Sequence, residues 1–398
     1  MLTRIWCLAE IYHTDRHGCR LDVAMCDAQW PAFERALLDD FESIQLALSR
    51  IDVRKAEGRP EDVPQIMAMV EAGGGAMRLN KLVLECMRSW AAGAGRAALA
   101  ALPAADRPVS GLINGVAELL MLQGRLGEAQ PLLEEALAGR RAVLGAGDPR
   151  TLTTIYNCGR LLRAQGRVGD ALPLCKEAVA GRRAALGSQH VDTLCSINNL
   201  GMLLKAHGRL EEARPLLEEA LASRRAVLGD SHPQTLGSIG NFGSLLQAEG
   251  RLREAQASLE ETLAGRRRVL GNMHPNTLVS ATNLGTLLHG QGLLAAARPL
   301  LEEACEGLRA ALGDAHPSTL GASGNLGLLL RDEGQLDLAL PLIESAVAGS
   351  HAARASDRHP DVQRLVRGLE VLRLRQRCDT AAGEREQSTE DPDPDADK

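Results

Sequence analysis

Asparagine recurs along this 398-residue chain at a spacing of 42 residues, and these amides are the side chains best suited to hold a polar ligand. Each amide offers a donor and an acceptor, so a row of them can pair with the backbone of an extended peptide, whatever its side chains are. The same row can also form a ladder that ties neighbouring helices together, and the sequence leaves both interpretations open. The positions are Asn157, Asn199, Asn241, Asn283 and Asn325.

Histidine and cysteine are the residues to consider for a metal site. Three histidines follow the same spacing, and His359 follows a slightly altered turn. One repeat step separates neighbouring histidines by far more than the roughly 2 Å of a zinc–nitrogen bond, so we interpret them as turn residues. A second group has irregular spacings, which favour scattered core or surface residues over the alternative of a zinc site. The two groups are His232, His274 and His316, and Cys7, His13, His17, Cys19 and Cys26.

Other signals of catalysis are weak in this sequence. No nucleophile–base pair or phosphate-binding loop stands out, so we predict neither an enzyme nor a cofactor. The nine cysteines are an odd number without a C-x-x-C pair, which favours a reducing compartment over a disulfide framework. With no secretion signal and no apolar run long enough to span a membrane, we expect a cytoplasmic protein without a membrane partner.

The distribution of charge argues against a nucleic-acid partner. The formal net charge is −6, and residues 379–398 carry all of it, with eight acids against two bases. Residues 1–378 therefore sum to zero, whereas a nucleic-acid-binding protein needs a basic surface.

The elements that position these residues are internal repeats of 42 residues, and six units cover about residues 111–362. In the third unit, apolar residues recur at helical spacing in two segments, which Gly208 separates and Gly229 ends. One helix pair cannot bury its own apolar stripe, so the units must stack into a solenoid. The glycine rows are Gly124, Gly166, Gly208, Gly250, Gly292 and Gly334, and Gly145, Gly187, Gly229, Gly271 and Gly313.

The pattern resembles the tetratricopeptide repeat, and its 42-residue length and Leu-Gly-x-x-His-Pro turns are similar to the kinesin light chain and nephrocystin branch. The resemblance implies an all-α fold, a right-handed superhelical solenoid of six helix pairs over residues 106–363. No sustained heptad precedes the repeats, so we do not expect a motor subunit. The packing positions that match the family in the third unit are Leu200, Gly201, Leu204, Leu210, Ala213 and Ala220.

In that family the first helix of each pair lines a concave groove, and the matching positions place the asparagine row there. Arg160, Arg163 and Lys205 would make the early part of this groove mildly basic. Arginine holds carboxylates by charge-assisted hydrogen bonds, so this favours an acidic protein segment as partner, with ordinary solvated charges as the alternative. The peptide-binding set implied by the resemblance also includes Asn198, Gln247, His289 and Arg331.

Two of the first helices carry glycine at every third residue. Interior glycines weaken a helix, but they would flatten the groove floor and allow close approach of a backbone. Drift in a stabilised array would explain them equally well. The positions are Gly237, Gly240 and Gly243, and Gly321, Gly324 and Gly327.

Residues 1–105 hold six of the eight aromatic residues, which predicts a separate, mostly helical region. Its opening resembles the W-C-x-x-E stretch of Toll-interleukin receptor (TIR) domains, in which Glu10 matches the catalytic glutamate of NAD-cleaving members. That resemblance implies an alternative function, the regulatory repeat portion of a TIR-like NAD hydrolase. The strands that should precede this motif are missing, so we expect Glu10 to be structural.

After the sixth unit, an apolar stripe predicts a capping helix at residues 364–378. Residues 379–398 are acidic and nearly without apolar side chains, which predicts a disordered tail that can compete for the basic part of the groove. We therefore expect a non-enzymatic scaffold or adaptor that binds protein or peptide segments. A self-associating structural array is a further alternative.

Overall fold

The computed structural model describes residues 75–352 and 362–373, together with the single positions 64 and 68. These residues form one helix followed by six helix pairs and a closing helix, and a short 3-10 turn at Arg107–Val109 precedes the first pair. The helices are α1 (Gly75–Ala101), α2 (Gly111–Leu122), α3 (Leu126–Val143), α4 (Pro149–Ala164), α5 (Val168–Leu186), α6 (Val191–Ala206), α7 (Leu210–Leu228), α8 (Pro233–Ala248), α9 (Leu252–Leu270), α10 (Pro275–Gly290), α11 (Leu294–Leu312), α12 (Pro317–Asp332), α13 (Leu336–Ala352) and α14 (residues 362–373).

Repeat 1 consists of α2 and α3, and the pairs continue in order to α12 and α13 in repeat 6. Each first helix packs against its own second helix, and each second helix packs against the first helix of the next repeat. The predicted all-α solenoid of six helix pairs is confirmed.

The turn between repeats fixes where each first helix begins. In repeat 4, His232 is the N-cap of α8: its Nδ1 accepts the backbone N–H of Gln234 at 3.2 Å, and Pro233 occupies the first helical position. Gly229 opens the same turn with a φ of 82°, a conformation that glycine adopts at little cost. The other first helices from repeat 2 onward are capped by Asp148, His190, His274 and His316. His232, His274 and His316 are therefore turn residues that also cap the next helix, and His359 lies outside the described residues.

The core consists almost wholly of leucine and alanine. In repeat 3, Leu203 and Ala213 have no exposed surface, and Leu217 is 1% exposed. Burial of a leucine side chain contributes about 1.5–3 kcal/mol, so many such residues can replace the few aromatics of a conventional core. A Cβ at Gly201 would lie 2.7 Å from Cγ of Leu217, which explains why only glycine fits between the two helices there.

A row of four arginines, three of them buried, joins each of repeats 1 to 4 to the next. Arg224, near the end of α7, is 4% exposed and donates to the carbonyl of Gln234 at 3.2 Å and to Oγ of Ser238 at 2.8 Å, both on α8. At the junction of repeats 5 and 6, Leu308 stands at the position of the arginine and Ala322 at the position of the serine. The hydrogen-bonded arginine and serine are thus both replaced by apolar residues there. The equivalent arginines are Arg140, Arg182 and Arg266.

Ion pairs on the outer surface link the second helices of successive repeats. Nη2 of Arg183 on α5 lies 2.6 Å from Oε2 of Glu219 on α7. Both side chains are more than a third exposed, so each such pair contributes at most about 1 kcal/mol. The equivalent pairs are Arg141–Glu177, Arg225–Glu261 and Arg267–Glu303.

The curvature of the array follows from which helices approach one another. First helices of successive repeats contact each other directly, so they form the inner wall of the superhelix. The second helices lie outside them. The superhelix also returns on itself, because α1 packs against α11 of repeat 5 as well as against α2.

Candidate peptide-binding groove

The inner wall exposes one regular stripe on each first helix. In α6 the half-buried side chains are Cys195, Asn198, Met202 and Lys205, at intervals of three and four residues, so they share one helical face. The residues between them are buried against α5 and α7, or against the neighbouring first helices. A partner in the groove would therefore contact this stripe.

Two of the five asparagines lie beneath the stripe. Asn157 is 1% exposed and Asn199 is 6% exposed. The Nδ2 of Asn199 contacts Sγ of Cys175 on α5 at 3.5 Å, so its amide is used within the repeat. These two side chains offer a ligand almost no surface, which corrects the expectation that they hold a peptide backbone.

The remaining asparagines differ from one another. Asn241 donates to Oδ1 of Asn198 on the preceding first helix at 3.1 Å, which is the ladder interpretation in its simplest form. Asn325 accepts a hydrogen bond from Arg364 of α14. Asn283 is exposed on the inner wall. Asn199, Asn241 and Asn325 thus each bond to a neighbouring helix, though not to one another, and Asn283 is the member of the row most open to a ligand.

The basic residues of repeats 2 and 3 are placed together on the inner wall. Nη1 of Arg160 lies 3.1 Å from Oε1 of Glu118 on α2, so its charge is partly compensated. Arg163 is exposed, and among the described residues no carboxylate lies within ion-pair distance of it. The pKa of Arg163 is lowered, first by desolvation within the surrounding wall and also by the nearby charge of Arg160. Lys205 donates to the hydroxyl of Ser244 on the next first helix.

An aromatic ring completes this part of the wall. The guanidinium carbons of Arg160 and Arg182 lie 5.7 and 4.7 Å from the ring centroid of Tyr156, within the range of cation–π contacts. The ring separates the two guanidinium groups and holds Arg160 in place. Tyr156 thus contacts one arginine of the groove and one buried arginine of the repeat junctions.

Toward repeat 6 the charges of the inner wall compensate one another. Nε2 of His289 lies 2.8 Å from Oδ2 of Asp332, and Arg331 contacts the other oxygen of Asp332 at 2.7 Å. Desolvation would raise the pKa of Asp332, but the hydrogen bonds from His289 and Arg331 outweigh it and the pKa is lowered. Gln247, in repeat 4, is half-buried and neutral. The positive potential of the groove therefore lies in repeats 2 and 3.

The glycine-rich first helices serve helix packing. A Cβ at Gly324 would lie 2.5 Å from Cδ2 of Leu365 on α14, and one at Gly327 would lie 2.6 Å from Cγ1 of Ile343 on α13. In α8, a Cβ at Gly243 would lie 3.0 Å from Cβ of Ser258 on α9. These glycines allow the neighbouring helices to pack closely, so helix packing accounts for them without a role in the groove floor.

Cys158 and Cys175 are packed in the core rather than poised for chemistry. Burial raises the pKa of Cys158 to about 12 and that of Cys175 to about 11, so both thiols are protonated at neutral pH. Within residues 75–352 and 362–373, no three His, Cys, Asp or Glu side chains converge as metal ligands. Glu10 and the group from Cys7 to Cys26 lie outside the described residues. None of the helices described is long and apolar enough to cross a membrane.

Comparison with known proteins identifies the repeat. The family model of the tetratricopeptide repeat matches residues 109–184, 155–226, 192–267 and 234–310, which together span 109–310 and just over half of the chain. No curated protein matches this chain.

Three solved structures illustrate the similarity. A putative kinesin light chain from Podosopora anserina with nearly identical TPR-like repeats is 29% identical over 52% of this chain and 97% of that chain, with a TM-score of 0.39. BtubC (BKLC) from P. vanneervenii is 22% identical over 56% of this chain and 89% of that chain, with a TM-score of 0.43. A Rap protein complexed with Competence and Sporulation Factor is 10% identical over 93% of this chain and 98% of that chain, and its TM-score of 0.53 shows a shared fold. Because the family model matches more than half of the chain, the chain belongs to the tetratricopeptide repeat family.

Proposed function

We propose that this protein is a non-enzymatic, cytoplasmic scaffold that binds an extended segment of a partner protein along the inner wall of its first helices. Tetratricopeptide arrays are interaction scaffolds, and the cysteine content favours a reducing compartment. The observation that carries the proposal is the cluster of Arg160, Arg163 and Lys205 on the open stripe of α4 and α6. Such a stripe offers a partner both contact area and charge.

The charge of this cluster favours an acidic segment. Glu118 already compensates Arg160, whereas Arg163 is exposed. Lys205 lies at the equivalent position of the next first helix, where it donates to the hydroxyl of Ser244. One carboxylate at Arg163 and a second one at Lys205 would each accept charge-assisted hydrogen bonds. It would also relieve the repulsion between Arg160 and Arg163.

The spacing of the repeats predicts the spacing of the acids. Helices in contact pack with axes about 8–10 Å apart, and an extended chain advances about 3.3 Å per residue. An extended segment therefore covers one repeat with about three residues. Arg163 and Lys205 occupy equivalent positions in successive repeats, so they should select two acids about three residues apart.

A peptide array tests this proposal directly. The array presents 12-residue peptides (roughly four repeats of extended chain) that carry two glutamates at separations of one to six residues, with glutamine versions as controls. The full chain should prefer glutamates about three residues apart, and the preference should weaken as salt rises because the charges become screened.

Charge-reversal variants decide where the peptide binds. Arg163→Glu with Lys205→Glu should weaken binding at least about tenfold, which corresponds to about 1.4 kcal/mol. The matched control, Lys176→Glu with Arg253→Glu, makes the same charge change at exposed positions of second helices and should bind like the wild type. Equal loss in both variants, or no preference for glutamate peptides in the wild type, would refute the groove as the binding surface.

A further inference from the structure

The superhelix is closed by contacts between repeats that are far apart in the sequence. The turn after α2 in repeat 1 meets the start of α12 in repeat 6: a Cβ at Gly124 would lie 3.3 Å from Cδ of Pro317. Gly124 has a φ of 73°, so the turn presents bare backbone to the proline ring. The packing of α1 against α11 lies at the same junction. Two separate contacts thus join successive turns of the superhelix.

His316 differs from the other capping histidines because it is part of this junction. Its Nδ1 accepts the backbone N–H of Ser318 at 3.1 Å, as in the other repeats. In addition, the backbone carbonyl of Leu122 in repeat 1 faces the imidazole closely enough to favour its protonated form, and Arg88 of α1 is the charged group that opposes protonation. Burial is the largest effect, and together these lower the pKa of His316 to about 4. The imidazole is therefore neutral in the closed superhelix at neutral pH.

We propose that His316 and Pro317, held against Leu122 and Gly124, form a clasp that closes the superhelix, and that opening this clasp gives access to the inner wall. The clasp joins the first repeat to the last, so the inner wall of repeats 2 to 5 lies within the closed turn. A partner that cannot thread in from an end must wait for the junction to open. The clasp would then set the rate of binding without contacting the partner.

Hydrogen exchange with a matched pair of variants tests the clasp. His316→Asn and His232→Asn both keep an N-cap, since asparagine caps helices well, but the shorter side chain at 316 loses the contact with Leu122. Exchange in segments 86–100 and 118–128 should rise about two- to tenfold in His316→Asn, the effect expected from loss of one polar contact. The same segments should exchange at the wild-type rate in His232→Asn. Equal exchange in the two variants would overturn the proposal.

Access to the inner wall has its own probe. Cys195 lies half-buried on the stripe of α6, and its reaction with a maleimide that carries a bulky polymer can be followed by mass mapping. Labelling should be faster in His316→Asn than in the wild type, and unchanged in His232→Asn.

A second pair, Pro317→Ala and Pro233→Ala, tests the other half of the clasp with the same two readouts, and only Pro317→Ala should show the effect. Circular dichroism should give equal helix content for all four variants. If the segments exchange faster but Cys195 labels at the wild-type rate, the clasp does not control access, and that part of the proposal fails.

Discussion

The buried arginine row makes a quantitative prediction, because the chain contains its own apolar version. At the junction of repeats 3 and 4, Arg224 donates to Ser238. At the junction of repeats 5 and 6, leucine and alanine stand at the equivalent positions, 308 and 322. The perturbation is therefore Arg224→Leu, alone and together with Ser238→Ala. The double variant has the same two residue types, leucine and alanine, that the chain has at the junction of repeats 5 and 6.

The magnitudes follow from the hydrogen bonds. Arg224→Leu removes the charged donor to the buried hydroxyl of Ser238, which is 1% exposed and then keeps only a long contact to Oδ1 of Asn198 at 3.4 Å; a poorly paired buried polar group costs about 1–3 kcal/mol. The carbonyl of Gln234 keeps its intrahelical partner. Ser238→Ala in the same chain removes this poorly paired hydroxyl, so the double variant should be more stable than Arg224→Leu by about 1–2 kcal/mol. The coupling free energy of the cycle should be about 1–3 kcal/mol.

Urea unfolding followed by far-ultraviolet circular dichroism measures the four members of the cycle. Repeat arrays can unfold in parts, so hydrogen exchange at α7 and α8 should locate the loss at this junction. Additive effects, with the double variant less stable than the wild type by the sum of the two single losses, would refute the view that arginine and serine act as a unit.

Three further predictions concern the caps, the glycines and the asparagines. The pKa of His316 is about 4 in the folded chain and 6.5 when the side chain is exposed, so the unfolded chain binds more protons between these pH values. The free energy of unfolding should therefore fall by up to about 3 kcal/mol as the pH drops from 6.5 to 4. Urea unfolding should show a smaller fall in His316→Asn. The new Cβ of Gly321→Ala has no atom within 4 Å, so this change should raise the free energy of unfolding by up to about 1 kcal/mol. The new Cβ of Gly324→Ala would clash with Leu365, so that change should lower the free energy of unfolding by about 1–3 kcal/mol. Asn199→Ala should lower the melting temperature and leave binding to the peptide array unchanged. Asn283→Ala should leave the melting temperature unchanged and weaken binding to the array.

The helices could be predicted from the sequence because their signals are local. Apolar spacing and the glycine at 208 define two helices per unit, and the structure places them at Val191–Ala206 and Leu210–Leu228. The turn role of the histidines could also be predicted. Their caps could not, because a cap depends on whether the imidazole nitrogen reaches the N–H two residues later. That geometry is set by the extended backbone of His232 at the helix start.

The site was harder to predict because burial depends on the neighbouring helix. Asn199 and Asn283 have the same position in their repeats, yet one is 6% exposed and the other lies open. Position in the repeat predicts the side of the helix on which a residue lies. It does not predict the partner that covers the residue. For Asn199 that partner is Cys175 of α5. The position equivalent to Cys175 that would cover Asn283 is Leu259, whose side chain cannot form this hydrogen bond.

The buried arginines show why a periodic charge can be misread. Arg224 and Arg225 follow one another, and both recur every 42 residues through repeats 1 to 4, so their spacing alone does not distinguish them. One residue further along a helix turns the side chain by about 100°, which carries the second arginine to the outer surface. There Arg225 meets Glu261 at 3.3 Å, while Arg224 reaches into the next repeat. The sequence does hold one clue to this difference: where Leu308 replaces the buried arginine, its serine partner becomes alanine, whereas Arg309 persists on the outer face. Substitution in pairs within a single chain thus distinguishes an arginine that stabilises the array from one that remains in solvent.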